Sequence, residues 1–262
     1  MTADLLTPEQ RRVADRVISE EQQHREHLVV SLSGAHAYGF PSPDSDLDLK
    51  AIHIDSSRGL LGLLRSHVRA ERLEVIDGVE VDYSSNELHP VLLGILQGNG
   101  NFIERVLGAI QLRSSADLAS LKPVVRRSLS RRVHRHYQGF AASQFNEWEK
   151  SGGRSAKKLL YVLRTALTGT HALQSTEIVT NVTLLLDDYG FGAARELVEQ
   201  KRQGELAELS EPIIRFWREE IKRAFQLLDE ARAASDLPEE PPNVAEMNDW
   251  LLAVRQARLQ NQ

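Results

Sequence analysis

The chain has 262 residues, of which 41% are hydrophobic and 26% charged, with a net charge of −5 and a sequence pI near 6.0. These values are typical of a soluble globular protein of one large or two smaller domains, and they exclude a protein that is basic over its whole surface. No apolar run approaches the ~18 residues of a membrane span, and the N-terminus lacks the apolar core of a secretory signal. The chain has no cysteine. We therefore expect no membrane association, no thiolate metal site and a cytoplasmic location.

The first elements alternate between helix and strand. An amphipathic helix is predicted at residues 7–26, with Thr7 as its N-cap and Gln10 completing a variant of the capping box. The pair Asp77-Gly78 lies between two alternating segments and predicts a β-hairpin. The predicted strands are residues 27–32, 47–54, 73–76 and 79–84.

From residue 85 onward the hydrophobic period is helical. The loop at 98–101 separates the first two helices, and the proline-rich segment 237–243 precedes the last one. Between them, helices are predicted at residues 116–149, 154–170, 176–203 and 210–235. The sequence thus predicts an α+β fold, with a small domain of sheet and helices at 1–115 and a helical domain at 116–262.

The second predicted strand begins in a run of three aspartates at alternate positions. Asp44 follows a proline in a turn-forming context, where its side chain is expected to stabilise the loop. Asp46 and Asp48 share one face of the strand with Lys50, because the intervening leucines point the other way. Their carboxylates lie ~7 Å apart, a spacing that suits a hard cation such as Mg²⁺. An exposed polar strand edge is the alternative interpretation.

Two further features accompany this pair of carboxylates. The first strand runs into Ser33-Gly34-Ala35, small residues that let backbone N–H groups approach a phosphate. Asp82 lies centrally in the second strand of the hairpin, where a carboxylate is unfavourable unless it is used. A phosphate turn, paired carboxylates and a third carboxylate are the parts that two-metal phosphoryl or nucleotidyl transfer requires.

The order of these motifs resembles that of the DNA polymerase β nucleotidyltransferase superfamily. The matching features are a strand that ends at Gly34, then Tyr38-Gly39, then the segment Ser45-Asp46-Leu47-Asp48, then Asp82 on a later strand. More narrowly, the chain is similar to bacterial predicted nucleotidyltransferases, some encoded beside an RNA ligase and associated with RNA repair. The resemblance extends over most of residues 28–190. It implies a palm-like nucleotidyltransferase domain with a small mixed β-sheet, followed by an all-α domain.

The resemblance also implies roles for individual residues. Asp46 and Asp48 would bind two Mg²⁺ (or Mn²⁺) ions, and Asp82 would bind the catalytic metal and help to deprotonate the attacking hydroxyl. A nucleoside triphosphate would be held through its β- and γ-phosphates by the turn, which comprises Ser33, Gly34, Ala35 and His36. Ala35 stands where the family often has serine, so a hydroxyl donor is lost. His36 either supplies a replacement donor or is a surface histidine.

The helix predicted at 154–170 carries candidate ligands for the nucleotide. Lys157, Tyr161 and Arg164 fall on one stripe of this helix, opposite its apolar side. Superfamily members usually draw phosphate-binding cations from the helical domain. The two cations would therefore bind the triphosphate and the tyrosine the base or sugar. An ordinary solvent-facing stripe is the alternative.

A basic stripe lies in the acid-free stretch between Asp117 and Glu147. It consists of Arg126, Arg127, Arg131, Arg132 and Arg135. A local stripe of this kind can bind RNA even on an acidic protein. A solvated helix face is the alternative.

Together these features predict a metal-dependent nucleotidyltransferase. It would transfer NMP from an NTP to a hydroxyl acceptor, an RNA end, with release of pyrophosphate. Three alternatives stay open: an enzyme that transfers AMP to proteins, a non-catalytic nucleotide or RNA sensor with the same fold, and a metal-dependent phosphohydrolase. Only Ala35 favours the sensor, and no histidine or additional acid at a suitable spacing supports the hydrolase.

Overall fold

The computed structural model describes residues 5–63, 68–204 and 208–260, which form two compact units. The unit that we call the sheet unit contains the residues up to His36, the segment Asp46–Ser128 and the residues from Pro241 onward. The helical unit contains Ala37–Ser45 and Leu129–Glu240. The two units therefore alternate along the chain.

This division differs from the predicted domains, 1–115 and 116–262. The segment Ala37–Ser45 belongs to the helical unit, whereas the helix after residue 115 and the last helix belong to the sheet unit. The last helix packs in the sheet unit through its buried Met247, Leu251 and Val254. Its Arg255 also forms an ion pair of 3.0 Å with the buried Glu87. A contact between residues 168 positions apart leaves no trace in local periodicity.

A mixed sheet of five strands is the centre of the sheet unit. Its strands are β1 (Glu26–Leu32), β2 (Leu47–Ile54), β3 (Arg69–Ile76), β4 (Val79–Glu87) and β5 (Gln111–Ser114). Their order is β3-β4-β2-β1-β5, and β2 and β4 run parallel while the other neighbours are antiparallel. The predicted α+β class is confirmed, as are the strands expected from the alternating pattern. The β3–β4 hairpin turns at Asp77 and Gly78, whose φ angles of 51° and 81° are those that a type I′ turn needs.

Helices account for most of the remaining described residues. They are α1 (Pro8–Gln22), α2 (Gly34–Tyr38), α3 (Ser57–Leu61), α4 (Leu88–Leu96), α5 (Gly100–Leu107), α6 (Ala116–Arg127), α7 (Val133–Lys150), α8 (Ala156–Ser175), α9 (Ala194–Arg202), α10 (Glu211–Ala234) and α11 (Val244–Gln260). The predicted capping box of α1 is confirmed, since the Thr7 hydroxyl accepts from the Gln10 N–H at 3.1 Å. Within the described ranges, no helix combines the length and apolar character that crossing a membrane requires.

The two faces of the sheet are covered differently. On one face α1 buries Val17 and Ile18 against apolar residues of β1, β2 and β4. On the other face α5 packs near the ends of β2 and β4, where Arg105 donates to the Asn86 side chain at 2.7 Å and to the Ala51 carbonyl at 3.1 Å. The earlier parts of β2 and β4 carry partly exposed carboxylates on this same face.

In the helical unit α8 packs against α7, α9 and α10. The helix predicted at 116–149 is divided between α6 and α7, and most of the stretch 176–203 is irregular apart from a 3₁₀ turn and α9. Asn181 accounts for part of this difference. Its side-chain oxygen accepts from the Thr183 N–H at 3.0 Å and from the Thr183 hydroxyl at 2.7 Å, which competes with helical hydrogen bonding.

Candidate active site

Asp48 and Asp82 lie directly opposite each other on the parallel strands β2 and β4. Neighbouring strands are ~4.8 Å apart, so two carboxylates on one face come close together. At about 5 Å, with an effective dielectric constant of about 20, two such charges repel by roughly 3 kcal/mol. A cation between the two carboxylates would relieve this repulsion.

Lys50 supplies a cation to the pair. Its Nζ lies 2.8 Å from Asp82 Oδ2 and 3.7 Å from Asp48 Oδ1, and it donates to the Asp82 carbonyl at 3.4 Å. The alternating pattern of β2 predicts Lys50 on this face but indicates no role for it. Its position two residues beyond Asp48 in an alternating strand indicated that it lies on the same face as Asp48. Its contact with Asp82 could not be predicted, because that contact depends on the register of β2 with β4.

Gly34 is adjacent to the carboxylate of Asp48. Its φ is +62°, and a Cβ at this position would lie 1.8 Å from Asp48 Oδ2. The preceding Ser33 N–H donates to the Asp48 carbonyl at 2.9 Å. The predicted phosphate turn and the predicted metal ligand Asp48 are therefore neighbours, and only glycine fits at position 34.

Ala35 and His36 complete the predicted phosphate turn, and both are buried. His36 is only 3% exposed, so the interpretation as a surface histidine is wrong. The short helix α2 turns these side chains inward, away from solvent. The replacement-donor role of His36 stays a prediction.

Asp46 is exposed and immediately precedes β2. Within the described part of the chain, no group of three or more histidines, cysteines, aspartates or glutamates is gathered to hold a metal ion. The chemistry of the facing pair, Asp48 and Asp82, nevertheless fits Mg²⁺, which commonly takes one or two carboxylates together with substrate phosphates and water. The three-carboxylate metal site stays a prediction, and its best-defined part is this pair.

Asp44 has a different environment from the other two aspartates of its run. It lies in the helical unit, and its Oδ1 accepts from the Ser42 hydroxyl at 2.5 Å. This hydrogen bond lowers the pKa of Asp44, and the Lys201 ammonium 3.9 Å away acts in the same direction. These contacts agree with the loop-stabilising role predicted for Asp44.

The stripe predicted on α8 is not exposed along its whole length. Arg164 is 1% exposed, and its guanidinium carbon lies 3.8 Å from the centre of the Tyr38 ring. Tyr161 packs edge-on against Tyr38 and Phe40, with ring centres 5.6 and 5.5 Å apart. The prediction of one projecting stripe is therefore wrong for Arg164, because aromatic residues of the segment Ala37–Ser45 pack on it. Lys157 is exposed and lines a cavity of about 340 Å³ with Tyr161.

The contacts that anchor the segment Ala37–Ser45 in the helical unit were not predicted from the sequence. Arg202 donates to the Gly39 carbonyl at 2.6 Å, and the Lys201 ammonium contacts the Ser42 hydroxyl. Gly39 has a φ of +91°, and a Cβ there would lie 2.0 Å from Asn181 Oδ1. A glycine at position 39 indicates close packing. No local sequence pattern indicates that Lys201 and Arg202 contact this segment.

The five arginines of the basic stripe are divided between the two units. Arg126 and Arg127 belong to the sheet unit and the other three to the helical unit. Three of the five form ion pairs: Arg127 with Glu246, Arg131 with Glu239, and Arg132 with Glu240. These acids neutralise part of the charge expected to bind RNA. Arg126 and Arg135 are exposed, and RNA binding by the stripe stays a prediction.

The structure is that of an α+β protein in which two facing carboxylates lie beside a glycine turn. Comparison of the chain with protein families gives a match over residues 10–253 to RlaP, the RNA repair pathway DNA polymerase beta family, and the chain belongs to this family. The resemblance found in the sequence is therefore confirmed.

Individual proteins are also similar to the chain. The uncharacterized protein MJ0002 of Methanocaldococcus jannaschii is 30% identical over 227 residues, which are 84% of this chain and 90% of that protein. A solved structure, the nucleotidyltransferase-like protein from Exiguobacterium sibiricum 255-15, aligns with 94% of this chain and 80% of its own. The identity in that alignment is 13% and the TM-score 0.34.

Proposed function

We propose that the protein is a metal-dependent nucleotidyltransferase that transfers NMP from an NTP to the hydroxyl group of an RNA end. The observation that carries this proposal is the facing pair Asp48 and Asp82 beside Gly34, in a chain that belongs to an RNA repair family. This pair offers oxygen ligands at the place where backbone N–H groups can approach a phosphate.

The reaction forms one bond and breaks one. The acceptor hydroxyl oxygen bonds to the α-phosphorus, while the bond from the α-phosphorus to the oxygen that bridges it to the β-phosphate breaks, and pyrophosphate leaves. We assign the hydroxyl proton to Asp82, because 47% of its side chain is accessible to an incoming acceptor against 24% for Asp48. Mg²⁺ or Mn²⁺ held by Asp46, Asp48 and Asp82 would neutralise charge on the attacking and leaving oxygens.

Other residues of the chain orient the nucleotide. Backbone N–H groups of the turn at Gly34 would bind the β- and γ-phosphates and so hold the α-phosphate near the carboxylates. Of the two cations predicted on α8, Lys157 is exposed whereas Arg164 is buried under Tyr38, so only Lys157 is kept as a predicted phosphate ligand.

The experiment that tests this function measures label transfer from each α-³²P NTP. The protein is incubated with Mg²⁺ or Mn²⁺ and with RNA acceptors that bear free 3′-hydroxyl ends, and protein acceptors are tested in parallel. Asp46→Asn and Asp82→Asn should each abolish transfer. Asp44→Asn is the matched control, because Asp44 belongs to the same aspartate run but bonds to the Ser42 hydroxyl.

Each outcome of this experiment has a definite meaning. Transfer that persists in both Asp46→Asn and Asp82→Asn would refute the assignment of the carboxylates. Label on protein but not on RNA would show that the acceptor is a protein hydroxyl and not an RNA end. NTP binding without transfer under every condition would identify a nucleotide sensor, the interpretation that Ala35 favours.

A further inference from the structure

Lys50 occupies the position between the two facing carboxylates. Its ammonium lies 2.8 Å from Asp82 Oδ2 and 3.7 Å from Asp48 Oδ1, and 19% of its side chain is exposed. A divalent ion shared by the same two carboxylates has to take the same position. The reaction proposed above assigns no role to this lysine.

The ammonium and a divalent ion exclude each other from this position. Both are cations, and at a separation of a few ångströms in a partly buried site their repulsion is screened only weakly. Lysine differs from arginine in that its compact charge sits on a flexible four-carbon stem, and it binds phosphate as a point charge. Lys50 can therefore leave the carboxylates for a phosphate oxygen without any movement of the strand.

We propose that Lys50 is an internal counter-ion for Asp48 and Asp82, which it releases when the divalent metal and the nucleotide bind together. This proposal rests on the proposed function. In the free protein Lys50 holds the two carboxylates in place against their repulsion and keeps metal affinity low. The triphosphate then draws the ammonium away and delivers the metal, so metal binding depends on the nucleotide. Lys50 is a positioning residue in this scheme.

The test measures Mn²⁺ binding by the loss of the free-ion electron paramagnetic resonance signal. Wild type, Lys50→Met and Lys50→Arg are titrated with Mn²⁺ alone and then with Mn²⁺ and α,β-methylene ATP. The matched control is Lys122→Met, which removes the same charge from the sheet unit at a lysine whose Nζ bonds to Gln111 at 2.8 Å. If Lys50→Met does not fold, as circular dichroism will show, Lys50→Gln replaces it.

Without nucleotide, Lys50→Met should bind Mn²⁺ at least tenfold more tightly than wild type, while Lys50→Arg and Lys122→Met should stay within about threefold of it. With the ATP analogue the advantage of Lys50→Met should shrink below threefold. Equal or weaker binding of Mn²⁺ alone by the variant would overturn the counter-ion proposal. That failure is separate from failure of the proposed function, which depends on label transfer by wild type and its loss in Asp82→Asn.

Discussion

Gly34→Ala tests the link between the glycine turn and the carboxylate pair. At φ +62° an alanine costs ~1–2 kcal/mol of folding free energy, because its Cβ is crowded in the left-handed conformation. The new Cβ would also lie 1.8 Å from Asp48 Oδ2 and 2.7 Å from Asp48 Cγ. Non-bonded heavy atoms need about 3.5 Å, so Oδ2 has to move by roughly 1.7 Å and Cγ by roughly 0.8 Å.

A displacement of this size has a predictable effect on the reaction. Misplacement of a catalytic group by about 1 Å can reduce the rate ~10²-fold, which corresponds to ~2.7 kcal/mol of barrier. We therefore expect Gly34→Ala to lose about 10²-fold or more in label transfer while it loses only ~1–2 kcal/mol in stability. The stability is measured by urea unfolding and the activity by transfer from the α-³²P NTP.

Gly78→Ala is the matched control for this substitution. Gly78 lies in the sheet unit with a φ of +81°, and a Cβ there would meet nothing within 4 Å. An alanine at position 78 therefore introduces a similar backbone strain, but its Cβ contacts no carboxylate. If the two variants transfer label equally well, the proximity of Gly34 to Asp48 does not matter for function and the reasoning fails.

Three other parts of the molecule give testable expectations. Burial lowers the pKa of His27 to about 4, so its stabilising contribution is complete above pH ~6.5 and is lost toward pH 4. This loss should be about 1–3 kcal/mol in urea unfolding, allowing for partial exposure, and should be absent in His27→Gln. Arg255→Met removes the partner of the buried Glu87 and should cost roughly 3–5 kcal/mol in the same measurement. Arg126→Ala and Arg135→Ala, at exposed positions, should each weaken single-stranded RNA binding. Each should also reduce, by ~0.7, the slope of the logarithm of the binding constant against the logarithm of the salt concentration.

Each of these expectations has a control. A pH-independent stability of wild type between pH 6.5 and 4 would contradict the assignment to His27. The double variant Glu87→Gln/Arg255→Met should be more stable than Arg255→Met, because no buried charge is left unpaired; equal or lower stability would refute the ion-pair account. Arg131→Ala should mainly lower stability, since its guanidinium donates to the Ser235 carbonyl at 3.2 Å as well as to Glu239 at 2.8 Å. Unchanged RNA binding by Arg126→Ala and Arg135→Ala would show that the basic stripe is an ordinary solvated face.

Local sequence signals predicted the strands well. The alternation of β2 and the Asp77-Gly78 turn depend only on neighbouring residues, and both are found in the structure. The types of residue at the site were predictable for the same reason, since Asp48 and the glycine turn are short motifs. The face on which Asp82 lies also follows from the period of its strand.

The contacts within the site were not predictable in the same way. Asp48 faces Asp82 because β2 and β4 pair in parallel, and no connecting turn fixes that register as it does in a hairpin. The bridging contact of Lys50 follows only once the register is known. Similarly, Arg164 lies on the predicted stripe of its helix, but its burial depends on Tyr38, from a distant part of the chain.

The alternation of the two units along the chain has a consequence for synthesis on the ribosome. Glu87 is made 168 residues before Arg255, and the whole segment Leu129–Glu240 of the helical unit is made between them. A nascent sheet unit therefore carries a Glu87 carboxylate without its Arg255 partner until α11 emerges. The strands that hold the carboxylate pair thus reach their full stability only after the helical unit has been synthesised, so an incomplete chain should not accumulate a stable site.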